Sequence, residues 1–207
     1  MLKRIKIILI LLVLSVTLSF MSHTYSRYVA ESTSNVQVSF AKWQILLNES
    51  DITNGTNSNI EITPVVEKSA NVKENTIAPS SKGYFDILVN PSNVEVSFDY
   101  TLTLEVLNKN LPDILISKYA ILEEGFKETD TITKLDITDN TITGTLTYDN
   151  ETKNFSFKPF TIRVYFEWIE GTNESMNDIQ DTNIGLDAAQ NNTKLQIAAN
   201  ISFKQKL

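Results

Sequence analysis

An all-β, two-sheet antiparallel sandwich of jelly-roll type, preceded by an N-terminal signal helix, is the fold that this 207-residue sequence predicts. Three observations predict it. Apolar and polar residues alternate with period two from residue 36 onward, as a half-buried strand demands. Turn residues punctuate the alternating stretches, and signals for long helices are scarce. With 42% hydrophobic and 21% charged residues, the chain has apolar material for a core of ordinary globular kind.

The chain opens with Lys3, Arg4 and Lys6 and carries no acid through residue 26. Residues 7–20 form an apolar run of 14, where a spanning helix needs about 20 and a signal-peptide core needs roughly 7–15. Thr24 and Ser26 then stand at the −3 and −1 places of a small-residue cleavage site. The pattern predicts a signal peptide over 1–26, cut by an export peptidase between Ser26 and Arg27, with an uncleaved anchor as the alternative. Either outcome places the body of the chain outside the cytoplasm, with membrane contact only through an uncleaved signal.

Residues 27–35 form a short N-terminal segment whose strong apolar anchors are Tyr28 and Val29. Residues 36–207 read as one sandwich domain, since no internal repeat or long linker divides them. Strands are expected at 36–47, 59–67 and 83–89, then at 94–106, where Val94, Val96, Phe98, Tyr100, Leu102, Leu104 and Val106 share a face. Further strands are expected at 115–122, 131–137, 141–148 and 154–158. The last two are 160–168, with Phe160, Ile162, Val164, Phe166 and Trp168 on one face, and 194–203. Short helical turns are expected at 108–118 and 184–190. Asn54-Gly55, Asp149-Asn150, residues 79–83 and residues 90–93 supply turn chemistry, and Pro159 suits a strand start.

The composition excludes most catalytic chemistry. There is no cysteine, and the one histidine, His23, lies inside the signal. A processed chain therefore has no imidazole or thiolate for a catalytic triad or an ordinary zinc site. No glycine-rich phosphate loop occurs, and no carboxylate spacing singles out an acid–base pair. The expectation is a non-enzyme without a resident cofactor. The net charge of −7 becomes −10 once residues 1–26 are removed, which argues against a nucleic-acid partner.

One stretch has ligand character. Residues 170–187 concentrate oxygen donors, and Asp178, Asp181 and Asn183 are candidate calcium ligands. Their spacing does not match an EF-hand loop, and a solvated acidic loop accounts for the same residues. The Asn-x-Ser/Thr sequons at Asn48, Asn54, Asn150, Asn154, Asn173, Asn191 and Asn200 follow from composition and read as polar strand faces and loops. Trp43 and Trp168 read as packing residues rather than carbohydrate platforms.

A signal ending Thr24-Tyr25-Ser26 and followed by Arg27-Tyr28-Val29-Ala30-Glu31-Ser32 resembles the exported TasA/camelysin family of Gram-positive surface and biofilm-matrix proteins. The run Ile77–Ile87 and the turn Asn90-Pro91-Ser92-Asn93 leading into Val94–Val106 are similar to the early core of those sandwiches. The resemblance implies a secreted subunit of a matrix fibre or cell-surface coat. It implies self-association and contact with related matrix proteins, with 27–35 (running on toward Phe40) donated as a strand to the next subunit's sheet. A metallopeptidase label attached to some members finds no H-E-x-x-H here. The alternative reading is a monomeric surface-binding or adhesion module. No Leu-Pro-x-Thr-Gly sorting signal is found, so covalent wall attachment is not expected.

Overall fold

The computed structural model describes residues 2–25, 38–53, 62–108, 114–169 and 178–206. Two compact units are present, residues 1–40 and residues 41–207. The first contains helix α1 (Leu2–Tyr25), whose described side chains are all exposed. Among the described residues no helix is long and apolar enough to cross a membrane.

The second unit is β-rich. Its strands are β1 (Leu46–Leu47), β2 (Ser50–Asp51), β3 (Val65–Val66), β4 (Lys82–Asn90), β5 (Phe98–Val106), β6 (Ile114–Glu123), β7 (Leu135–Asp136), β8 (Thr141–Leu146) and β9 (Phe160–Trp168), then helix α2 (Asp178–Asn191) and β10 (Ile197–Gln205). They form two antiparallel sheets. The larger runs β2-β1-β4-β9-β6-β7 with β3 also on β4, and the smaller runs β10-β5-β8. The six long strands β4, β5, β6, β8, β9 and β10 alternate between the sheets in chain order. Every ladder between long strands is therefore non-local; β4, for example, pairs Phe85 with Val164.

The alternating residues explain why the two sheets pack face to face. Phe85, Ile87 and Val89 of β4 and Ile162, Val164 and Phe166 of β9 point inward, and they meet Phe98, Leu102 and Leu104 of β5 in one buried cluster. Phe98 is wholly buried at the centre, edge-on to Trp43, Phe157 and Phe203 at 5.9, 5.3 and 6.0 Å between ring centroids. Burying an aromatic ring of this kind stabilises by roughly 1.5–3 kcal/mol, with further gain from edge-to-face geometry. All of this cluster lies at or beyond Trp43, so the core of residues 41–207 is complete within that unit.

The fold class agrees with the alternation, while several boundaries differ. The strand expected at 94–106 begins at Phe98, because the Val94 amide donates to Pro91 O at 2.9 Å and holds 91–94 in a turn. Residues 114–118, expected within a helical turn, open β6, where Ile114 and Ile116 pair with Trp168 and Phe166. The strands expected at 36–47, 59–67 and 131–137 shrink to two residues each in the described parts of those ranges. Residues 154–158 form no ladder; Phe155 and Phe157 instead stack edge-on, 5.1 Å apart. Beyond β1, Asn48 and Glu49 adopt positive φ (43° and 70°) as a tight hairpin turn, and Asn48 Oδ1 accepts from the Leu88 amide at 2.8 Å. Asn54-Gly55 lies outside the described residues.

Gly144 of β8 has a packing reason. A Cβ there would come within 2.4 Å of the Tyr100 ring, so only glycine lets that ring lie against the strand. Burial pushes the Tyr100 phenol up to about 12, with Tyr119 adding to the shift. The folded state thus holds this proton more tightly than the unfolded chain, whose tyrosines titrate near pH 10. Its contribution is fully present below pH 10 and lost as pH rises through about 12. Urea titrations between pH 9 and 12 are expected to show a stability loss of about 2 kcal/mol that Tyr100→Phe abolishes.

Candidate functional site

The smaller sheet has an open edge. In β10 the Lys206 amide donates to Ser97 O at 2.8 Å, and the Leu107 amide donates to Gln196 O at 2.9 Å. In an antiparallel ladder that fixes the parity: even-numbered residues of β10 bond β5, and odd-numbered ones direct N–H and C=O away from it. Ile197, Ala199, Ile201, Phe203 and Gln205 therefore present a nine-residue strand edge that no strand pairs among the described residues. Natural edges are usually blunted by proline, bulges or inward charges. None of these occurs in β10, whose Lys204 projects from the other side of the pleat.

An apolar groove of about 400 Å³ runs beside this edge. Phe85 and Phe166 floor it from the larger sheet, Leu195, Ile197 and Ala199 form one wall, and Ile62 and Pro64 form the rim. Among the described residues Gln196 is its one polar lining residue, and no charge lines it. A second groove of about 460 Å³ lies beside β8 at the opposite margin. Glu123, Glu124 and Lys158 line that one, and β8 is only six residues long. The β10 margin is thus the longer edge and the apolar one, the combination that strand addition uses.

In the first unit, Val38 and Phe40 are 82% and 96% exposed. Both are large apolar side chains left exposed among the described residues.

The expected site residues fall as follows. Thr24 lies in the last turn of α1, which ends at Tyr25. Ser26, Arg27, Tyr28 and Val29 lie outside the described residues, as do residues 170–177 of the expected loop at 170–187. Asp178, Asp181 and Asn183 are in α2, a full helix where a loop with a short turn at 184–190 was expected. At about 100° per residue, Asn183 lies roughly 200° around the helix from Asp181. The three donors therefore do not share a face, and no group of three potential metal ligands occurs among the described residues. Acidic residues in the first turn suit the helix dipole instead. At the other end, Asn192 takes φ 52° and Asp187 accepts from Thr193 Oγ1 and Asn191 Nδ2, both at 2.5 Å. Those hydrogen bonds hold the Asp187 carboxyl below its usual range.

Sequence reasoning did not single out Arg163. Its side chain is 6% exposed on the outer face of β9, although it carries a charge. The segment after β6 folds over it, so that Arg163 donates to both oxygens of Asp86 at 2.8 Å and to Glu128 at 3.0 and 3.3 Å. Its guanidinium also stacks over Tyr84 at 3.9 Å and faces Phe126 at 5.8 Å. The Asp86 hydrogen bonds hold its pKa above the ordinary value in spite of burial, and Glu128 adds to this. The sequence signal was present: Arg163 is the one cation on the polar face Thr161-Arg163-Tyr165-Glu167. This is a structural clamp, since every guanidinium direction is occupied by protein.

No family model matches this chain, and no curated protein is significantly similar to it.

The clamp gives an asymmetric expectation. Asp86→Ala leaves a buried cation with one exposed partner, whereas Arg163→Met leaves two carboxylates that water can reach. Urea unfolding is expected to cost about 3 kcal/mol for the first and only about 1 kcal/mol for the second. Equal costs would contradict the assignment.

Proposed function

We propose that this chain is an exported, non-catalytic structural subunit of a cell-surface or extracellular matrix fibre, assembling by strand addition between copies. The observation that carries the reading is the β10 edge, unpaired among the described residues, lying over an apolar groove that no described charge lines. A neighbour's extended segment can satisfy the free main-chain groups of Ile197–Gln205 and insert alternate side chains between the sheets. In this reading the donated segment is 27–40, in which Val38 and Phe40 extend the apolar pattern begun at Tyr28 and Val29. The added strand completes a jelly-roll sandwich, and α1 acts as the export signal removed after Ser26. The likeness of residues 24–47 and 77–106 to TasA/camelysin proteins supports the same reading, with the export peptidase and related matrix proteins as further partners.

The acidic body suits an extracellular matrix setting. A chain at −10 after processing repels its own copies at long range, so polymerisation is expected to strengthen with salt as the charge is screened.

A proline at position 199 tests the reading closely. Ala199→Pro deletes an N–H that faces the open edge and takes no part in the β5 ladder, so the fold tolerates it. Sedimentation and negative-stain microscopy of the chain beginning at Arg27 are expected to show polymers. Ala199→Pro, and a chain lacking residues 27–40, are expected to remain monomeric with an unchanged far-ultraviolet spectrum. Monomers throughout, across salt, pH and calcium, would replace this reading with a monomeric surface-binding module.

A further inference from the structure

Helix α2 enters the β10 margin directly, yet it is thinly held. Among its described side chains all but Asp181 and Ile184 are exposed, and Leu186 is 53% exposed. Ile184 is the α2 side chain that joins the small apolar cluster of Ile114 and Trp168, together with Ile77, Val106 and Leu195. Leu195 belongs both to this cluster and to the wall of the apolar groove. Through Leu195 the cluster under α2 adjoins the groove, and among the described side chains of α2 it is Ile184 that covers it.

Two further facts concern what the closed end lacks. Trp168 is buried, and its indole N–H finds no hydrogen-bond partner among the described residues. A buried donor left unpaired is unfavourable, and a main-chain carbonyl is the commonest group that could satisfy it. The joint between helix and strand is short. Residues 194–196 are fastened to Asn108, which donates to Lys194 O at 3.0 Å and accepts from the Gln196 amide at 2.6 Å. The helix stops just before this fastening, at Asn192 with φ 52°. Moving α2 about residues 192–193 would break the Thr193 Oγ1 bond to Asp187 and leave the Asn108 fastening of 194–196 in place.

From these contacts we infer that α2 is a place-holder for the incoming strand, and that Val38 or Phe40 of a neighbouring copy exchanges with Ile184 over Trp168. This rests on the strand-addition reading and names how its acceptor site is regulated. The occupant is specified by complementarity. Among the described residues the groove and its closed end are lined by no charge, and the segment 38–40 carries two exposed apolar side chains. While Ile184 holds the pocket, each subunit is shielded from premature association. An arriving strand gives the pocket an apolar side chain and supplies carbonyls to the Trp168 N–H.

The test uses residues 41–207, whose core is complete, in a Trp43→Phe background so that Trp168 is the sole tryptophan. A synthetic peptide of residues 27–40 is titrated while Trp168 emission and peptide anisotropy are followed. The expected result is saturable binding with a shift in Trp168 emission. Binding should weaken at least about tenfold for a peptide carrying Phe40→Ala and Val38→Ala, and strengthen several-fold for protein carrying Ile184→Ser. Peptide binding with unchanged Trp168 emission and no effect of Ile184→Ser would overturn the exchange while leaving strand addition standing. No binding to either protein would overturn both.

Discussion

The larger sheet is wider than the sheet that covers it. It has six strand positions, β2, β1 (with β3 on the same side of β4), β4, β9, β6 and β7, against three in the smaller sheet, β10, β5 and β8. Inward-pointing side chains of β4 and β9 are apolar along their whole length, so the shortfall leaves apolar surface beside β10. The hydrophobic effect favours filling that surface, and hydrogen bonding favours pairing the edge beside it. The remaining features of the β10 margin follow from this mismatch. Ile62 and Pro64 border the gap, Leu195 walls it, and Ile184 closes its far end.

The outer face of the larger sheet is treated differently. There the segment after β6 crosses the sheet and is tied down by Arg163 through Asp86 and Glu128, with Tyr84 beneath the guanidinium. Bidentate guanidinium–carboxylate geometry fixes position as well as contributing energy. The back of the sandwich is thereby locked, while its side margin stays open. A subunit that must accept a neighbour's strand without rearranging its core needs that combination of a fixed outer face and an available edge.

Much of this was legible in the sequence, and the rest was not for physical reasons. The long strands announce themselves because an inside–outside pleat imposes period two, as at 98–106 and 160–168. Short strands such as Val65–Val66 are decided by a neighbour's edge and carry no period of their own. Helix α2 was hidden by Asn, Asp, Thr and Gly185, residues of weak helix preference whose helix ends before Asn192 at φ 52°. Which strand ends at an open edge depends on pairings across nearly a hundred residues, such as Ile201 with Leu102, so no local pattern reports it. The same holds for the burial of Arg163, which needs Asp86 and Glu128 to arrive from elsewhere in the chain.

Residue-resolved hydrogen exchange on the assembled and unassembled forms of the chain beginning at Arg27 is the most direct measurement. The amides of Ala199, Ile201 and Phe203 face the open edge, whereas those of Asn200 and Ser202 are already bonded to β5. The account predicts that the odd-numbered amides exchange fast in the free subunit and become protected on assembly, while the even-numbered ones are slow in both. Assembly that leaves Ala199, Ile201 and Phe203 in fast exchange would contradict it, because the subunits would then be joined through some other surface.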